Sequence, residues 1–145
     1  RPMGRSSTDC SHLGHGPATH RLHPQGPAVI DSAFTSVTFV ALNSALDGLS
    51  MRQRVIADNI ANVQTPGFRA GRVSFEASLA EAVREGTGAA TPTVARSLEP
   101  GRPDGNNVNL DTETLSAIET NLRYQLATRA VDGTFEKLRI AMRTS

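Results

Sequence analysis

The apolar residues near the beginning of the chain follow a helical repeat. Large aliphatic residues recur every seventh position, and further apolar residues stand beside them: Leu42, Leu49, Ile56 and Val63, joined by Ala45, Leu46 and Ile60. This spacing is typical of an amphipathic helix with a coiled-coil-like seam. We therefore predict a helix over residues 34–63 that ends before Pro66, because the residue preceding a proline is pushed out of helical geometry.

A second helical repeat lies at the other end and predicts a helix over residues 111–145. Its apolar residues follow steps of three, four or five positions: Leu115, Ile118, Leu122, Leu126, Val131, Phe135, Leu138 and Met142. Asp111 is the predicted N-cap, and Glu113 suits the positive end of the helix dipole. Gly48 is a weak point in the first helix and costs about 1 kcal/mol relative to alanine. Gly133 is expected to bend or loosen the second helix.

The segment between the two helices, residues 64–110, is less regular. Pro66-Gly67 predicts a turn in which the glycine takes a positive φ. Val73 to Glu85 predicts a short helix, and Gly86 to Asp104 predicts a flexible linker rich in glycine, proline and threonine. The resulting fold class is all-α: two long terminal amphipathic helices pack as a coiled-coil-like hairpin, with a loop-rich middle segment.

Residues 1–33 are expected to be a disordered leader or a non-native extension. Up to residue 28 this stretch has no glutamate, phenylalanine, valine or isoleucine, so it lacks the side chains that build a core. It holds the cysteine and all histidines: Cys10, His12, His15, His20 and His23. A metal-binding module here is one alternative, but the spacing differs from that of structural zinc sites. We therefore expect no metal and no cofactor.

Composition narrows the function. Aromatic residues make up 4% of the chain and tryptophan is absent, so a monomer would have a thin core, and we expect apolar surface to be buried against other chains. The net charge is +1 and no Lys/Arg block occurs, which argues against nucleic acid as a partner. No histidine outside the leader and no glycine-rich phosphate loop are present, so we expect no enzyme.

A motif at the end of the first helix resembles the signature of flagellar rod and hook proteins. The matching residues are Asn59, Ile60, Ala61, Asn62, Thr65, Pro66, Gly67 and Phe68. Asp58 stands where that family more often has asparagine, and Val63-Gln64 fills the variable pair of the motif. The segments 104–111 and 121–125, together with the short chain, are similar to the proximal rod members of the family. Asn59 and Asn62 are interpreted as satisfying helix-end carbonyls, as bonding to neighbouring subunits, or as both.

The resemblance implies a structural subunit of the proximal rod, in the periplasmic part of the flagellar basal body, that self-assembles through its terminal helices to transmit torque. Implied partners are further copies of the chain, rod proteins of the FlgC type, the adaptor FliE, the MS ring, and the type III export apparatus, which would secrete the chain without a cleavable signal peptide. No small-molecule substrate is expected. The alternative is a soluble coiled-coil adaptor or export chaperone, which would have no use for the Thr-Pro-Gly-Phe turn.

The apolar stripes of the two helices are the expected assembly seam between subunits, because a helix owes most of its stability to packing of its apolar face. The seam residues are Leu42, Leu46, Leu49, Ile56, Ile60, Val63, Leu115, Ile118, Leu122, Leu126, Phe135 and Leu138.

Overall fold

The structure, a computed structural model, describes residues 36–143. Its elements in chain order are α1 (Val37–Ala61), β1 (Gly71–Ser74), α2 (Glu76–Arg84), β2 (Thr93–Arg96) and α3 (Leu110–Arg143). The long helices α1 and α3 pack against each other as a hairpin, which confirms the all-α class with a small two-stranded sheet added. The leader with its cysteine and histidines lies outside the described residues. None of the helices within 36–143 combines the length and apolarity needed to cross a membrane.

The middle segment contains more regular structure than the sequence predicts. Instead of one helix from Val73 to Glu85, the chain forms β1 and then α2. The linker prediction also misses β2, which pairs antiparallel with β1 so that Gly71 lies opposite Arg96. The helix prediction is wrong at its start because Val73 and Phe75 are both buried while Ser74 is exposed. That alternation has the period of a strand, but four residues are too few to outweigh a helical pattern.

The apolar core is small and lies where α1, the sheet and α3 meet. Leu49, Val73 and Phe75 are its buried members, with Met51, Val55, Leu79, Tyr124 and Ala127 packed around them. Gly48 explains how the Phe75 ring fits, since a Cβ atom at position 48 would lie 2.6 Å from two ring carbons. Glycine, a weak point for the helix itself, is therefore what allows the ring to contact the α1 backbone.

Arg52 packs over this ring and binds the neighbouring carboxylate of Glu76. The guanidinium carbon of Arg52 lies 5.0 Å from the centroid of Phe75, within the range of a cation–π contact. Arg52 also donates to the Val73 carbonyl at 3.0 Å and forms an ion pair of 2.6 Å with Glu76. The hydrogen bond from Arg52 lowers the pKa of Glu76 from 4.5 to about 2, against a smaller opposing effect of burial. Arg52 thus connects α1 to both β1 and α2.

Two glycine substitutions test this packing. We expect Gly48→Ala to destabilise the chain by about 1–3 kcal/mol, because the methyl group displaces the Phe75 ring and this outweighs the better helix propensity of alanine. Gly133→Ala is the matched control: nothing lies within 4 Å of the added Cβ, so alanine should stabilise the chain by about 1 kcal/mol. Urea unfolding followed by circular dichroism measures both, and equal stabilisation by the two variants would contradict the ring contact.

Acid titration tests the contact between Arg52 and Glu76. Because the folded-state pKa of Glu76 lies below its ordinary value, its stabilising contribution is complete above about pH 4.5 and is lost as the pH falls towards 2. We expect Glu76→Gln to reduce the loss of stability over this interval, and Arg52→Met to return the Glu76 pKa towards 4.5. Carboxyl NMR titration gives the pKa directly; an unchanged value in Arg52→Met would refute the assigned cause.

Candidate functional site

The family-like motif forms the end of α1 and the turn that follows. The Asn62 side-chain amide donates to the Asp58 carbonyl at 2.8 Å and its oxygen accepts from the Thr65 hydroxyl at 3.2 Å. The Phe68 N–H donates to the Thr65 carbonyl at 3.2 Å, and Gly67 has a φ of 72°. The turn predicted from Pro66-Gly67 is therefore confirmed, with glycine at the position that requires positive φ.

Asn106 holds this turn from the other side. Its side chain is fully buried, and its amide nitrogen donates to the carbonyls of Asn62 at 2.9 Å, Thr65 at 2.8 Å and Val63 at 3.3 Å. Its oxygen accepts the Val108 N–H at 2.7 Å. The carbonyls left unpaired at the end of a helix need such partners. In the last turn of α1 the Asn62 side chain serves the Asp58 carbonyl, which agrees with the interpretation of Asn62 as a helix-end residue. Asn106 does the same for the carbonyls just after the helix, a role that the sequence did not indicate.

Asn107 extends the same support to the strands. Its side-chain oxygen accepts the Ala70 N–H at 2.7 Å, and its amide nitrogen donates to the carbonyl of Glu99 at 3.1 Å. The Gly67 N–H donates to the Asp104 carbonyl at 2.8 Å. Residues 104–109 are named here the brace. Their side chains bind mainly main-chain atoms of the turn and of residues next to the two strands. The sequence indicates their family likeness but not this role.

Asn59 lies behind the turn in a buried polar network. Only 1% of its surface is exposed. Its oxygen accepts the Gly71 N–H at 2.8 Å, and its nitrogen donates to the Gly71 carbonyl and to Glu113 Oε2, both at 3.0 Å. Arg72 forms an ion pair with Glu113 Oε1, and Glu113 is fully buried. This network, named here the Glu113 network, joins α1, β1 and α3. Asn59 is therefore satisfied within the chain.

The start of α3 differs from the prediction in one respect. Asp111 is not the N-cap; the Asn109 side-chain oxygen accepts the N–H groups of Asp111 at 3.0 Å and Thr112 at 3.3 Å. The helix begins one residue earlier than predicted, at Leu110. Glu113 does lie near the positive end of the helix dipole, but its carboxylate points into the protein. Both Asn109 and Asp111 are good cap residues, so the sequence does not distinguish them.

The expected seam separates into different surfaces. On α1, Leu49 and Ile56 are buried and Leu42, Leu46, Ile60 and Val63 are half-buried, so these six positions already pack within the chain. On α3, four aliphatic residues form an exposed stripe, named here the outer face: Leu115, Ile118, Leu122 and Leu126, with exposed fractions of 67%, 56%, 62% and 69%. The two sets therefore do not form one continuous seam.

The stripe on α3 changes sides after Leu126. The next large apolar residue, Val131, follows five positions later, which corresponds to a rotation of about 140° around a helix. Phe135 consequently lies on the α1 side, where its ring meets Phe39 edge-to-face at a centroid distance of 5.8 Å while 45% of the residue stays exposed. Leu138 is half-buried. The five-residue step between Leu126 and Val131 is the sequence feature that could have shown that the predicted stripe consists of two stripes.

The described part of the chain offers no metal centre: residues 36–143 contain no group of three or more histidine, cysteine, aspartate or glutamate side chains placed to hold an ion. The contacts that the site does make are hydrogen bonds, ion pairs and packing, and they join the end of α1 to the start of α3.

Removing the Asn106 side chain tests the brace. We expect Asn106→Ala to destabilise the chain by about 2–4 kcal/mol, because three main-chain carbonyls and one N–H lose a buried partner. Asn121→Ala, at an exposed position on α3, should change stability by less than about 0.5 kcal/mol. Hydrogen exchange should show faster exchange at residues 65–70 in the first variant only; equal effects of both substitutions would refute the role of the brace.

Comparison with known proteins agrees with this architecture. A family model described as "Flagella basal body rod protein" matches residues 41–69, most of α1 and the turn. The chain is 32% identical over 121 residues to the flagellar basal body rod protein FlgB of Borrelia hermsii, covering 68% of this chain and 90% of the relative. FlgB of Bacillus subtilis strain 168 is 30% identical, with 74% and 94% covered. FlgB of Escherichia coli K12 is 30% identical, with 61% and 80% covered.

These matches extend well beyond the short motif. The first two relatives are covered over nine-tenths of their own length, and the similarity extends over about 68% and 74% of this chain. The chain belongs to the FlgB family of flagellar basal body rod proteins.

Proposed function

We propose that this chain is a structural subunit of the proximal part of the flagellar rod and that it assembles through the outer face of α3. The rod assignment and the structural, non-enzymatic role are supported by the family to which the chain belongs. The proximal position and the assembly surface are our own inference. They are drawn from the resemblance of the brace and of residues 121–125 to proximal rod proteins, and from the exposure of α3.

The outer face is the observation that carries the assembly surface. Four large aliphatic side chains lie exposed in line along about three turns of one helix. Burying one such side chain fully contributes roughly 1.5–3 kcal/mol, and a contiguous apolar patch on a single chain usually marks an interaction site. A polymer would cover this stripe in every copy. The α1 stripe, by contrast, has two buried and four half-buried residues and therefore contributes mainly to the subunit fold.

The partners follow from the proposed place in the rod. They are other copies of this chain, rod proteins of the FlgC type, the adaptor FliE and the MS ring, with the type III export apparatus acting during secretion. Export without a cleavable signal peptide would deliver the chain to the periplasmic rod. There, torque would pass through packed helices, because these long elements resist bending. An adaptor or export chaperone would also use an apolar helix face, but family membership supports the rod subunit.

Two aspartate substitutions separate assembly from folding. We expect Leu122→Asp to leave the stability of the isolated chain within about 0.5 kcal/mol of the original, because position 122 is largely exposed. The same substitution should block rod assembly, since each contact between copies would bury an unpaired carboxylate. Ile56→Asp should instead unfold the subunit, because Ile56 is only 5% exposed and the carboxylate would enter the core.

Asn121→Asp is the matched control, because it adds the same charge at an exposed polar position next to Leu122. The measurements are thermal unfolding of the purified chains, and motility with electron microscopy of basal bodies in strains that carry each variant. Normal rods and filaments with Leu122→Asp would overturn the outer face as the assembly surface.

A further inference from the structure

We propose that the Glu113 network determines which face of α3 packs on α1, and thereby keeps the outer face exposed. Glu113 is in this sense a positioning residue. The exposed state of the outer face matters for assembly only if the proposed function is correct. The orientation of α3, however, is a property of the single chain and can be measured without assembly.

Two faces of α3 compete for α1. The face that packs inward contains Glu113, Thr120 and Tyr124, and the outer face lies two residues away from each of them, at Leu115, Leu122 and Leu126. Two residues correspond to about 200° around a helix, so the faces are on opposite sides. The inward face over 113–127 is polar or small apart from Tyr124: Glu113, Ser116, Ala117, Thr120, Tyr124 and Ala127.

Hydrophobic burial alone would favour the reverse orientation. Transfer of apolar surface out of water is the dominant favourable term in packing, and it has no directional preference. The outer face has more aliphatic surface than the inward face across the same turns. An isolated α3 placed beside α1 would therefore gain more by turning its leucines inward. The observed orientation needs a directional interaction that opposes this gain.

The Glu113 network is the directional interaction at the required place. The carboxylate is fully buried and accepts from Asn59 on α1 and from Arg72 on β1, one at each oxygen. No buried side-chain polar atom among the described residues lacks a partner. Turning α3 by half a revolution would carry Glu113 out of the interior. Asn59 would then lose one acceptor, and Arg72 would keep only its contact with Glu99 at 3.5 Å. The network is therefore satisfied in one orientation only.

The pair of Phe39 and Phe135, closer to the C-terminal end of α3, does not replace the Glu113 network. Phe135 meets Phe39 near the opposite end of the hairpin, fifteen positions after Thr120 and beyond the side change of the apolar stripe. Along the turns that carry the outer face, Arg123 also forms an ion pair of 3.4 Å with Glu76 on α2, but both of these side chains are about half exposed. The ion pair with another element in which the α3 side chain is fully buried is that of Glu113.

Cysteine labelling measures the orientation directly. In a Cys10→Ser background, Thr120→Cys reports the inward face and Leu122→Cys reports the outer face, since positions 120 and 122 are 2% and 62% exposed. With Glu113 intact, a maleimide should modify the Leu122→Cys variant at least roughly tenfold faster than the Thr120→Cys variant. We expect Glu113→Leu to reverse this order, because the network is lost while the drive to bury the leucines remains. Glu119→Leu, which removes an exposed carboxylate from the same helix, is the control and should leave the order unchanged.

A second variant separates orientation from stability. Arg72→Met with Glu113→Leu removes both charges of the ion pair, so the half-buried guanidinium is not left without its main partner. Reversal of the labelling order in either Glu113 variant supports the proposal. Two results overturn it: the original order retained in both variants, or equally fast labelling of both positions in both variants, which would give the network a role in stability alone. Because the chain is labelled in its isolated form, this outcome is independent of whether Leu122→Asp blocks rod assembly.

Discussion

The burial of one carboxylate, that of Glu113, constrains the arrangement of the three elements around it. A charge withdrawn from water is tolerated only where opposite charge and hydrogen-bond donors surround it. Here the donors come from α1 and β1, through Asn59 and Arg72. Neither element can move relative to α3 without leaving the carboxylate unpaired. The largest apolar cluster nearby has three buried members, so polar contacts define much of the geometry that a larger core would define by packing.

The brace solves a related problem for the main chain. A helix that stops inside a protein leaves carbonyl groups without partners, and Pro66 prevents the chain from continuing the helix to supply them. Asn106 gives three carbonyls after the helix a buried side-chain donor, in addition to the main-chain N–H groups and the Arg102 side chain that also contact them. The end of α1, 41 or more positions earlier in the sequence, is thereby joined to the start of α3. The two halves of the hairpin are thus held at their common end by polar contacts and along their length by side-chain packing.

Periodicity and turn chemistry were sufficient to predict part of this structure. The two long helices and the all-α class follow from the repeated apolar spacing. The turn at Pro66-Gly67 follows from the conformations that proline and glycine favour. The sheet was missed because Val73 and Phe75 provide only one alternation. The cap at Asn109 was assigned to Asp111, since both residues are chemically suitable. The Glu113 network could not be predicted, because it depends on the distance between residues that are 54 positions apart.

The apolar pattern of α3 shows a further limit of reading a stripe as a single surface. A step of five residues between Leu126 and Val131 separates a stripe that faces outward from one that faces α1. The division is evident when the residues are placed on a helical wheel, but not when only their spacing along the sequence is considered. The sequence does not predict which of the two stripes packs on α1. Apolarity alone would favour the leucine-rich stripe, but that stripe is exposed.

Main-chain recognition by the brace has a consequence for how the joint tolerates variation. Asn106 and Arg102 contact the carbonyl of Val63, not its side chain, and the Gln64 side chain is exposed. Every residue type presents the same carbonyl, so the brace contacts themselves place no requirement on the side chains at these two positions. They are the two positions at which the rod and hook signature leaves the residue unspecified. The variability of the motif at that pair thus has a stereochemical origin, because the brace contacts the backbone there and not the side chains.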